Sequence, residues 1–370
     1  MDPALGAILE KAAMRPRNIS ETEIEALLSV GGGEGLDALF SAAYAVKARA
    51  VGRVVAFRGL VEAGNVCAKD CLYCGIRKSN GKVARYSMPA DEIVACAEFA
   101  ARENYGSLVI QSGEIEGEAH TRFIEDVLAR IRHLGLGVTL SLGEQTEEVY
   151  ARWKAAGAAR YLLRVETSNP ELYARLHPAS HSWKRRVECL RALRRCGYQV
   201  GTGVMAGLPG QTLRDLAHDL AFFGEIDADM IGMGPFIPHE DTPLGDPSLV
   251  SPAFGSAAVS PSKEDRLLLG LRMIAATRLY LHDVNIAAAT ALQALADDGR
   301  ERGLLAGANV IMPNITDVKY RRSYQLYEGK PCLDEEASQC RACLRMRVAA
   351  IGETIAFGRH GDSPHFSRRQ

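Results

Sequence analysis

Nine cysteines are spread through the 370 residues, and six of them fall into two triplets. Cys67, Cys71 and Cys74 are spaced C-x3-C-x2-C, while Cys332, Cys340 and Cys343 are spaced C-x7-C-x2-C. Thiolates packed this closely suit a soft metal or an iron–sulfur cluster, and three protein ligands leave one coordination position open. Structural zinc sites are closed by four protein ligands, so a zinc reading of the first triplet must borrow one from elsewhere. An open position on a redox-active cluster implies chemistry rather than scaffolding. The second triplet again offers three cluster-type ligands, and its readings are a second iron–sulfur cluster, a zinc site, or thiols that hold no metal. Cys96, Cys189 and Cys196 lie in helical patterns and read as packing.

The first triplet directly follows a strand candidate, Arg53 to Val61. From there strands alternate with helices for about 260 residues, the signature of a parallel sheet. The other strand candidates are Ser107 to Gln111, Gly137 to Ser141, Arg160 to Val165, Gln199 to Val204, Met230 to Met233, Val284 to Ala288, and Asn309 to Met312. Helical stretches such as Pro89 to Glu103 and Arg122 to Leu134 separate them. At roughly 32 residues per unit the pattern fits a complete α/β barrel of the (β/α)8 TIM type. An open doubly wound sheet would usually stop at five to seven strands, and no Gly-x-Gly-x-x-Gly follows the first strand. In a barrel the loop after strand one opens on the C-terminal face, where active sites sit.

The organisation expected is an N-terminal helical extension over 1–52, the barrel over 53–327, and a tail over 328–370 that carries the second triplet. Ser20 and Glu23 are spaced as a capping box ahead of Ile24, Leu27 and Leu28, and a second helix should run from Leu36 to about Arg49. Gly245 to Ser262 reads as a long exposed loop, and His365 to Gln370 as a frayed end.

Composition narrows the functional classes. Hydrophobic residues make up 47% and charged residues 24%, and 44 Lys plus Arg against 45 Asp plus Glu give a net charge of -1. That supplies no basic footprint for nucleic acid. No stretch reaches the roughly 18 apolar residues of a membrane span. The N-terminus lacks a basic region leading into an apolar run, so a secreted disulfide scaffold does not fit and a reducing cytoplasm is the expected location.

Other residues carry chemistry by position. Gln111-Ser112-Gly113-Glu114 ends strand two, where polar groups and a glycine can approach a ligand; a turn with a surface Glu is the competing reading. Arg164 and Glu166 are two apart at the end of strand four and so on one face. Pointing inward, they need a ligand or each other. Arg186 sits in a very basic helix, so it is either a ligand contact or part of a solvated face. Gly207 to Thr212 is a Gly-rich turn into a helix that lacks the lysine and spacing of a P-loop. His239 reads as a satisfied loop histidine rather than a proton donor.

C-x3-C-x2-C with an aromatic residue before its last Cys, after strand one of a barrel, resembles the radical S-adenosylmethionine (SAM) superfamily. Longer runs resemble the HydE family of [FeFe]-hydrogenase maturases within it: Asn65-Val66-Cys67, Gln111 to Glu114, Thr139 to Glu144, Tyr161 to Thr167, Gly207 to Thr212, Gly234 to His239, and Asn309 to Asn314. The likeness covers nearly all of the chain up to about Cys343. It implies that Cys67, Cys71 and Cys74 hold an oxygen-sensitive [4Fe–4S] cluster whose fourth iron chelates SAM, which one electron cleaves to methionine and a 5′-deoxyadenosyl radical. It further implies SAM contacts from Tyr73, Gln111, Ser112, Glu166, Arg186, Met230 and Ile237. Arg164 would face a substrate cavity lined by Thr139, Thr290, Met312, Tyr324 and Tyr327. Where the family can show two adjacent Thr after strand seven, this chain has Ala289-Thr290. Some members carry a second Fe–S cluster at the spacing of Cys332, Cys340 and Cys343.

The substrate implied is a small iron complex carrying cysteine, carbon monoxide and cyanide, attacked at its cysteine sulfur. The partners implied are an electron donor such as ferredoxin or flavodoxin, and the scaffold and precursor-making maturases. A biotin-synthase-like or methylornithine-synthase-like enzyme with an organic substrate is the alternative. A non-catalytic Fe–S or zinc sensor is an alternative from another class.

Overall fold

The computed structural model describes residues 2–246, 248–250 and 261–369. Among these, eight parallel strands form the barrel: β1 (Val54–Gly64), β2 (Ser107–Ser112), β3 (Gly137–Ser141), β4 (Ala158–Leu162), β5 (Gln199–Thr202), β7 (Met230–Ile231), β9 (Asn285–Ile286) and β10 (Val310–Ile311). Each pairs in parallel with the next, and β10 returns to β1 with Ala56 opposite Val310. The seam between β9 and β10 is closed by the Ala287–Val310 bridge and the Asn309 N to Ile286 O bond of 2.9 Å. A short parallel pair, β6 (Met205–Ala206) with β8 (Gly234–Pro235), extends the wall at the C-terminal mouth. The (β/α)8 reading therefore holds. The later strands are shorter than their sequence candidates, β7 ending at Ile231, β9 at Ile286 and β10 at Ile311.

β1 shows how the sequence builds both surfaces of this wall. Val55, Phe57 and Val61 are buried, and Phe57 stacks on Tyr105 at 5.1 Å. The alternate row, Arg58, Leu60 and Glu62, faces the barrel interior, as a two-residue period requires. Charges at 58 and 62 in a strand buried on both faces are unusual, and each is answered at one end of the barrel.

The lower end is closed by the tail. β11 (Thr354–Ile355) adds in parallel to Val54 and Val55, and the chain then crosses beneath the strands. Gly361 O accepts from Arg58 Nη2 at 3.0 Å and Asn285 Nδ2 at 2.9 Å, and Asp362 pairs with Arg160 and accepts from Gln199 Nε2 at 2.6 Å. His365 bonds Asp227 at 2.9 Å, while Arg368 and Arg369 pair with Asp283, Asp227 and Asp229. The end of the chain is thus a fastened plug through Arg369, not the frayed segment expected, because the acids at the foot of the barrel need these cations.

The three N-terminal helices, Pro3–Met14, Glu21–Leu28 and Glu34–Ala50, lie against Leu213–Glu225 and Lys263–Leu281 and share the main apolar core. The Ser20–Glu23 capping box forms as read, with both reciprocal bonds present. Of the expected Gly245 to Ser262 loop, residues 251–260 lie outside the described residues. Its start is a 3-10 turn, Pro243–Gly245, and its last residue, Ser262, caps the helix Lys263–Leu281.

One buried ion pair fastens the returning tail to the N-terminal helices. Lys47 Nζ meets Glu353 Oε1 at 2.9 Å, both side chains fully buried, and Tyr44 Oη donates to the same carboxylate at 2.7 Å. Burial pulls the Lys47 amine down to about 8 despite its acidic partner. Removing one member of such a pair strands the other. Lys47→Met should lower the unfolding free energy by about 3 to 5 kcal/mol, and Lys47→Met/Glu353→Leu should recover most of it. Urea unfolding measures both, and equal losses in the two variants would contradict the coupling.

Candidate active site

The loop after β1 carries Cys67, Cys71 and Cys74 over the C-terminal mouth, and all three line one cavity of about 360 Å³ that runs down into the barrel. The loop is pinned by close backbone approaches. Gly113 N donates to Gly64 O at 2.9 Å, and a Cβ at Gly113 would stand 2.2 Å from Val66 O. Ala68 N donates to Glu114 O at 2.8 Å, and Glu114 N to Cys67 Sγ at 3.4 Å. The role of the Gln111 to Glu114 run is therefore partly architectural: its glycine lets strand two lie against the cysteine loop.

All nine cysteines are free thiols. Burial raises Cys67 and pushes Cys71 up to about 12, and Cys74 rises for the same reason. The three residues are half-buried, and binding a metal would displace their protons and supply the positive charge their thiolates need. Sulfurs bound to one tetrahedral zinc stand roughly 3.8 Å apart. Among the described residues, the group of His, Cys, Asp or Glu with ligand atoms all within 4.8 Å of one another is Cys71, His177 and His181, so the three sulfurs are spread more widely than one ion needs. The donor set and its spread fit a cluster.

His177 is already committed. Its Nδ1 meets Tyr173 O at 2.8 Å, a contact only an N–H can make, so Nε2 accepts from Tyr73 Oη at 3.0 Å. Burial lowers this imidazole to about 3, which keeps it neutral and keeps Tyr73 in place.

Beside the cysteines lies a charged lattice. Lys69 contacts Glu114 at 3.0 Å and Glu144 at 3.2 Å, and Arg186 contacts Glu144 at 2.9 Å and Glu114 at 3.6 Å. Arg186 is 8% exposed, so the solvated-face reading does not apply to it. Burial opposes its charge, yet Glu114 and Glu144 hold its pKa well above the usual value. Glu114 is raised by burial in spite of Arg186 and Lys69.

Tyr73, Gln111, Ser112, Arg164, Glu166, Arg186, Ile237, Thr290, Met312, Tyr324 and Tyr327 all reach the cavity wall. Arg164 Nη2 and Glu166 Oε2 pair at 3.0 Å, and Arg164 Nη2 also donates to Val204 O at 3.0 Å. Strand alternation is not what joins them. β4 ends at Leu162, and Glu166 has φ 67°, a left-handed backbone that turns its side chain back to the cavity. Gln111 Nε2 donates to Tyr324 Oη at 3.0 Å.

Two of the residues expected at the site are elsewhere. Met230 is 2% exposed below the cavity, where its sulfur accepts from Arg58 Nη1 at 2.6 Å. Thr139 is fully buried in β3 and does not reach the cavity wall. Both lie too low in the barrel. The Gly207 to Thr212 run is a self-satisfied turn, with Gln211 Oε1 accepting from Gly207 N at 2.8 Å and Leu208 N at 3.1 Å. His239 accepts from Asp241 N at 3.1 Å and is a satisfied loop residue.

Sequence reasoning missed Glu62, Lys330 and Arg300, which also line the cavity. Lys330 Nζ meets Glu62 Oε1 at 2.5 Å, and Asn314 Nδ2 donates to Glu62 Oε2 at 2.9 Å. A charged residue in the inward row of β1 was the signal for Glu62; no comparable signal marks the other two. Cys332 lines the same cavity, Cys340 is buried beside it, and Cys343 is exposed one turn on. A mutual hydrogen bond lowers the Cys332 thiol, while the same bond and burial raise Cys340.

The family model of the radical SAM superfamily matches residues 61–223. Over 345 residues the chain is 42% identical to the [FeFe] hydrogenase maturase subunit HydE of Thermotoga maritima, spanning 93% of this chain and 94% of that one. The chain belongs to the HydE family of radical SAM enzymes. Its cofactors are accordingly a [4Fe–4S] cluster and SAM. Likeness to the 3-methylornithine synthase of Methanosarcina acetivorans is lower, 26% over 79% of each chain. In fold, this HydE-family chain matches the crystal structure of methylornithine synthase, with a TM-score of 0.78 at 22% identity over 95% of this chain and 98% of that one. It also matches the maturase HydG from Carboxydothermus hydrogenoformans, with a TM-score of 0.77 at 18% identity over 95% and 79%. No helix among the described residues is long and apolar enough to cross a membrane.

The segment after Glu166 is held by Asp219, whose Oδ1 accepts from Ser168 N and Ser168 Oγ, both at 2.6 Å. Burial pushes this carboxyl up to about 7 from the ordinary 3.8. The folded protein therefore keeps a proton that the unfolded chain releases, and stability falls as pH rises through that window. Asp219→Asn retains an acceptor for Ser168 and removes the titration. In urea unfolding of the cluster-free protein at about pH 5 and about pH 7.5, the variant's advantage over wild type should grow with pH. A pH-independent difference would contradict the assignment.

Proposed function

We propose that this enzyme acts in assembly of the H-cluster of [FeFe]-hydrogenase, on a small iron complex carrying cysteine, carbon monoxide and cyanide. The observation that carries this reading is the 42% identity to HydE across 93% of the chain, joined to a single cavity that Cys67, Cys71 and Cys74 share with Arg164, Thr290, Tyr324 and Tyr327.

Cys67, Cys71 and Cys74 would hold the [4Fe–4S] cluster, and Tyr73, Gln111, Ser112, Glu166, Arg186 and Ile237 would bind SAM against it. The bound cofactors supply one-electron cleavage of SAM and hence a 5′-deoxyadenosyl radical. The chain's own part is positioning and exclusion of water. Neutral His177 fixes the Tyr73 ring next to Cys74 through its hydroxyl, as the 3.0 Å bond requires. Arg164, braced by Glu166 and the Val204 carbonyl, presents its guanidinium to the substrate side. Thr290, Met312, Tyr324 and Tyr327 line that side, and the tail plug shuts the lower mouth so that solvent enters from the top alone.

The partners in this reading are a low-potential donor such as ferredoxin or flavodoxin, the maturase that makes the iron precursor, and the scaffold that receives the product. The setting is the cytoplasm, where the thiols stay reduced. Cys332, Cys340 and Cys343 would hold an accessory cluster not needed for SAM cleavage.

Reconstituted without oxygen, the first site should bind about four iron and four sulfide. Reductant and SAM should then yield 5′-deoxyadenosine. Cys71→Ala should reduce cleavage to background, whereas Cys340→Ala should retain it. Loss of cleavage in a folded Cys340→Ala protein would overturn the ranking of the two triplets. A hydrogenase maturation mixture lacking only this component should regain hydrogen evolution when the protein is added. Intact SAM cleavage without that rescue would favour an organic substrate.

A further inference from the structure

Among the described residues, Cys71, His177 and His181 offer ligand atoms that all lie within 4.8 Å of one another, a group to which Cys67 and Cys74 do not belong. Backbone contacts bring the three together. Leu72 N donates to Leu176 O at 3.0 Å, which sets the cysteine loop against the end of the helix Pro170–Leu176. His181 N donates to Pro178 O at 2.9 Å, closing a turn that leaves the two imidazole rings 5.7 Å apart.

His177 is held as a metal ligand is held. Its Nδ1–H donates to Tyr173 O at 2.8 Å and its ring stacks on Tyr173 at 3.9 Å, which fixes both the plane and the lone pair on Nε2. A backbone carbonyl on the other ring nitrogen is the usual support of a ligating histidine. Tyr73 Oη donates to that lone pair at 3.0 Å, a single hydrogen bond that an ion would displace. His181 Nδ1, shut off from solvent, has no hydrogen-bond partner. One thiolate and two imidazoles, with no carboxylate among them, form the donor set of a zinc-type ion, and three protein ligands leave the fourth position to water. Ligand atoms around such an ion stand roughly 3.3 to 3.8 Å apart, so side-chain rotation of about 1 Å completes the set.

We propose that in the cluster-free chain Cys71, His177 and His181 form a site for one zinc-type divalent cation, and that this ion and the iron–sulfur cluster exclude one another by competing for Cys71. On binding, the S–H bond of Cys71 breaks, a sulfur–metal bond forms, the proton leaves to solvent and no electron moves. The ion also takes the Nε2 lone pair of His177 and so releases Tyr73. Only the competition rests on the reading of Cys71 as a cluster ligand; the ion site stands on its own geometry.

The test uses the full-length chain, iron-free, reduced and without oxygen, carrying Cys340→Ala and Cys343→Ala so that the second triplet takes no metal. Cobalt(II) is the probe. One equivalent should bind with the visible absorption of a tetrahedral ion, and X-ray absorption at cobalt should show one sulfur and two imidazole nitrogens. Three sulfurs at the metal overturn the proposal, as does cobalt that stays six-coordinate. This measurement changes no ligand of the site, so it decides even where a variant fails to fold. Cys71→Ser should remove the thiolate charge-transfer band. His181→Ala should weaken binding by at least the roughly 10- to 100-fold lost with an outer-shell partner. Tyr73→Phe should tighten it by roughly 3- to 10-fold, the worth of the hydrogen bond displaced. Cys67→Ser and Cys74→Ser should bind cobalt as the parent does, and a loss in either equal to that in Cys71→Ser overturns the site. Chain preloaded with one equivalent of zinc should take up iron and sulfide more slowly than zinc-free chain; equal uptake overturns the competition. Formation of 5′-deoxyadenosine by cluster-loaded wild type is scored separately, so failure of the radical SAM reading and failure of this one remain distinct.

Discussion

Charges that face a barrel interior must be matched by partners brought in from elsewhere in the chain, and that matching organises this molecule from end to end. Arg58 and Arg160, low in the barrel, are met by backbone carbonyls and Asp362 of the returning tail. Glu62, two residues above Leu60 in the same inward row, is met by Lys330 and Asn314. Buried pairs of this kind add little net stability by comparison with apolar packing, but breaking one is costly. They therefore fix which segments must meet the barrel: the tail closes the lower end, and the stretch carrying Lys330 borders the open mouth.

The cysteine loop obeys a second constraint, that of backbone proximity. Gly75 and Gly113 sit where a Cβ would strike Gln325 O at 2.1 Å and Val66 O at 2.2 Å, so strand two and the segment after β10 press directly on the cluster loop. Gly143 is similar, with φ 79° and the Glu114 carboxylate in the space a side chain would fill. These contacts make the sulfur positions a property of the barrel mouth rather than of a free loop. The same mouth carries the Lys69, Glu114, Glu144 and Arg186 lattice, in which both acids bridge Lys69 and Arg186 and Glu144 also meets Arg185.

Much of this was legible in the sequence, for physical reasons that can be named. Strand candidates were found because a parallel wall buried on both faces reads as apolar runs, and β3 matched its expected span of Gly137 to Ser141. The cysteine triplet declared itself by donor type and spacing alone. What escaped were features set by three-dimensional return. Nothing in His365 to Arg369 says that those side chains will find Asp227, Asp229 and Asp283, residues some 80 to 140 positions away. Met230 and Thr139, which the resemblance placed at the site, do not line the cavity here: both are buried inward residues below it. Arg164 and Glu166 share the cavity as expected, but through a left-handed residue that no periodicity forecasts.

The second triplet shows how far the same reasoning extends. Cys332 has φ 62°, an unfavourable value for a residue with a Cβ, and its carbonyl accepts from Arg321 Nη1 at 3.1 Å, as does Glu335 O at 2.7 Å. Lys330, two residues earlier, is locked to Glu62 and to Tyr324 O. The stretch carrying Cys332 is thus held to the barrel by fully protein-made bonds on both sides, with Arg321 itself 1% exposed. A metal at the second triplet would find its first ligand already in place, and that ligand would stay in place without it. Cys340 and Cys343 differ, since they depend on the helix Ala337–Ala350, which is tied to the body by Arg347–Glu301 and by burial of Leu344 and Val348. The tail therefore owes its position to ion pairs and packing, as the first triplet owes its own to the backbone contacts of the barrel mouth.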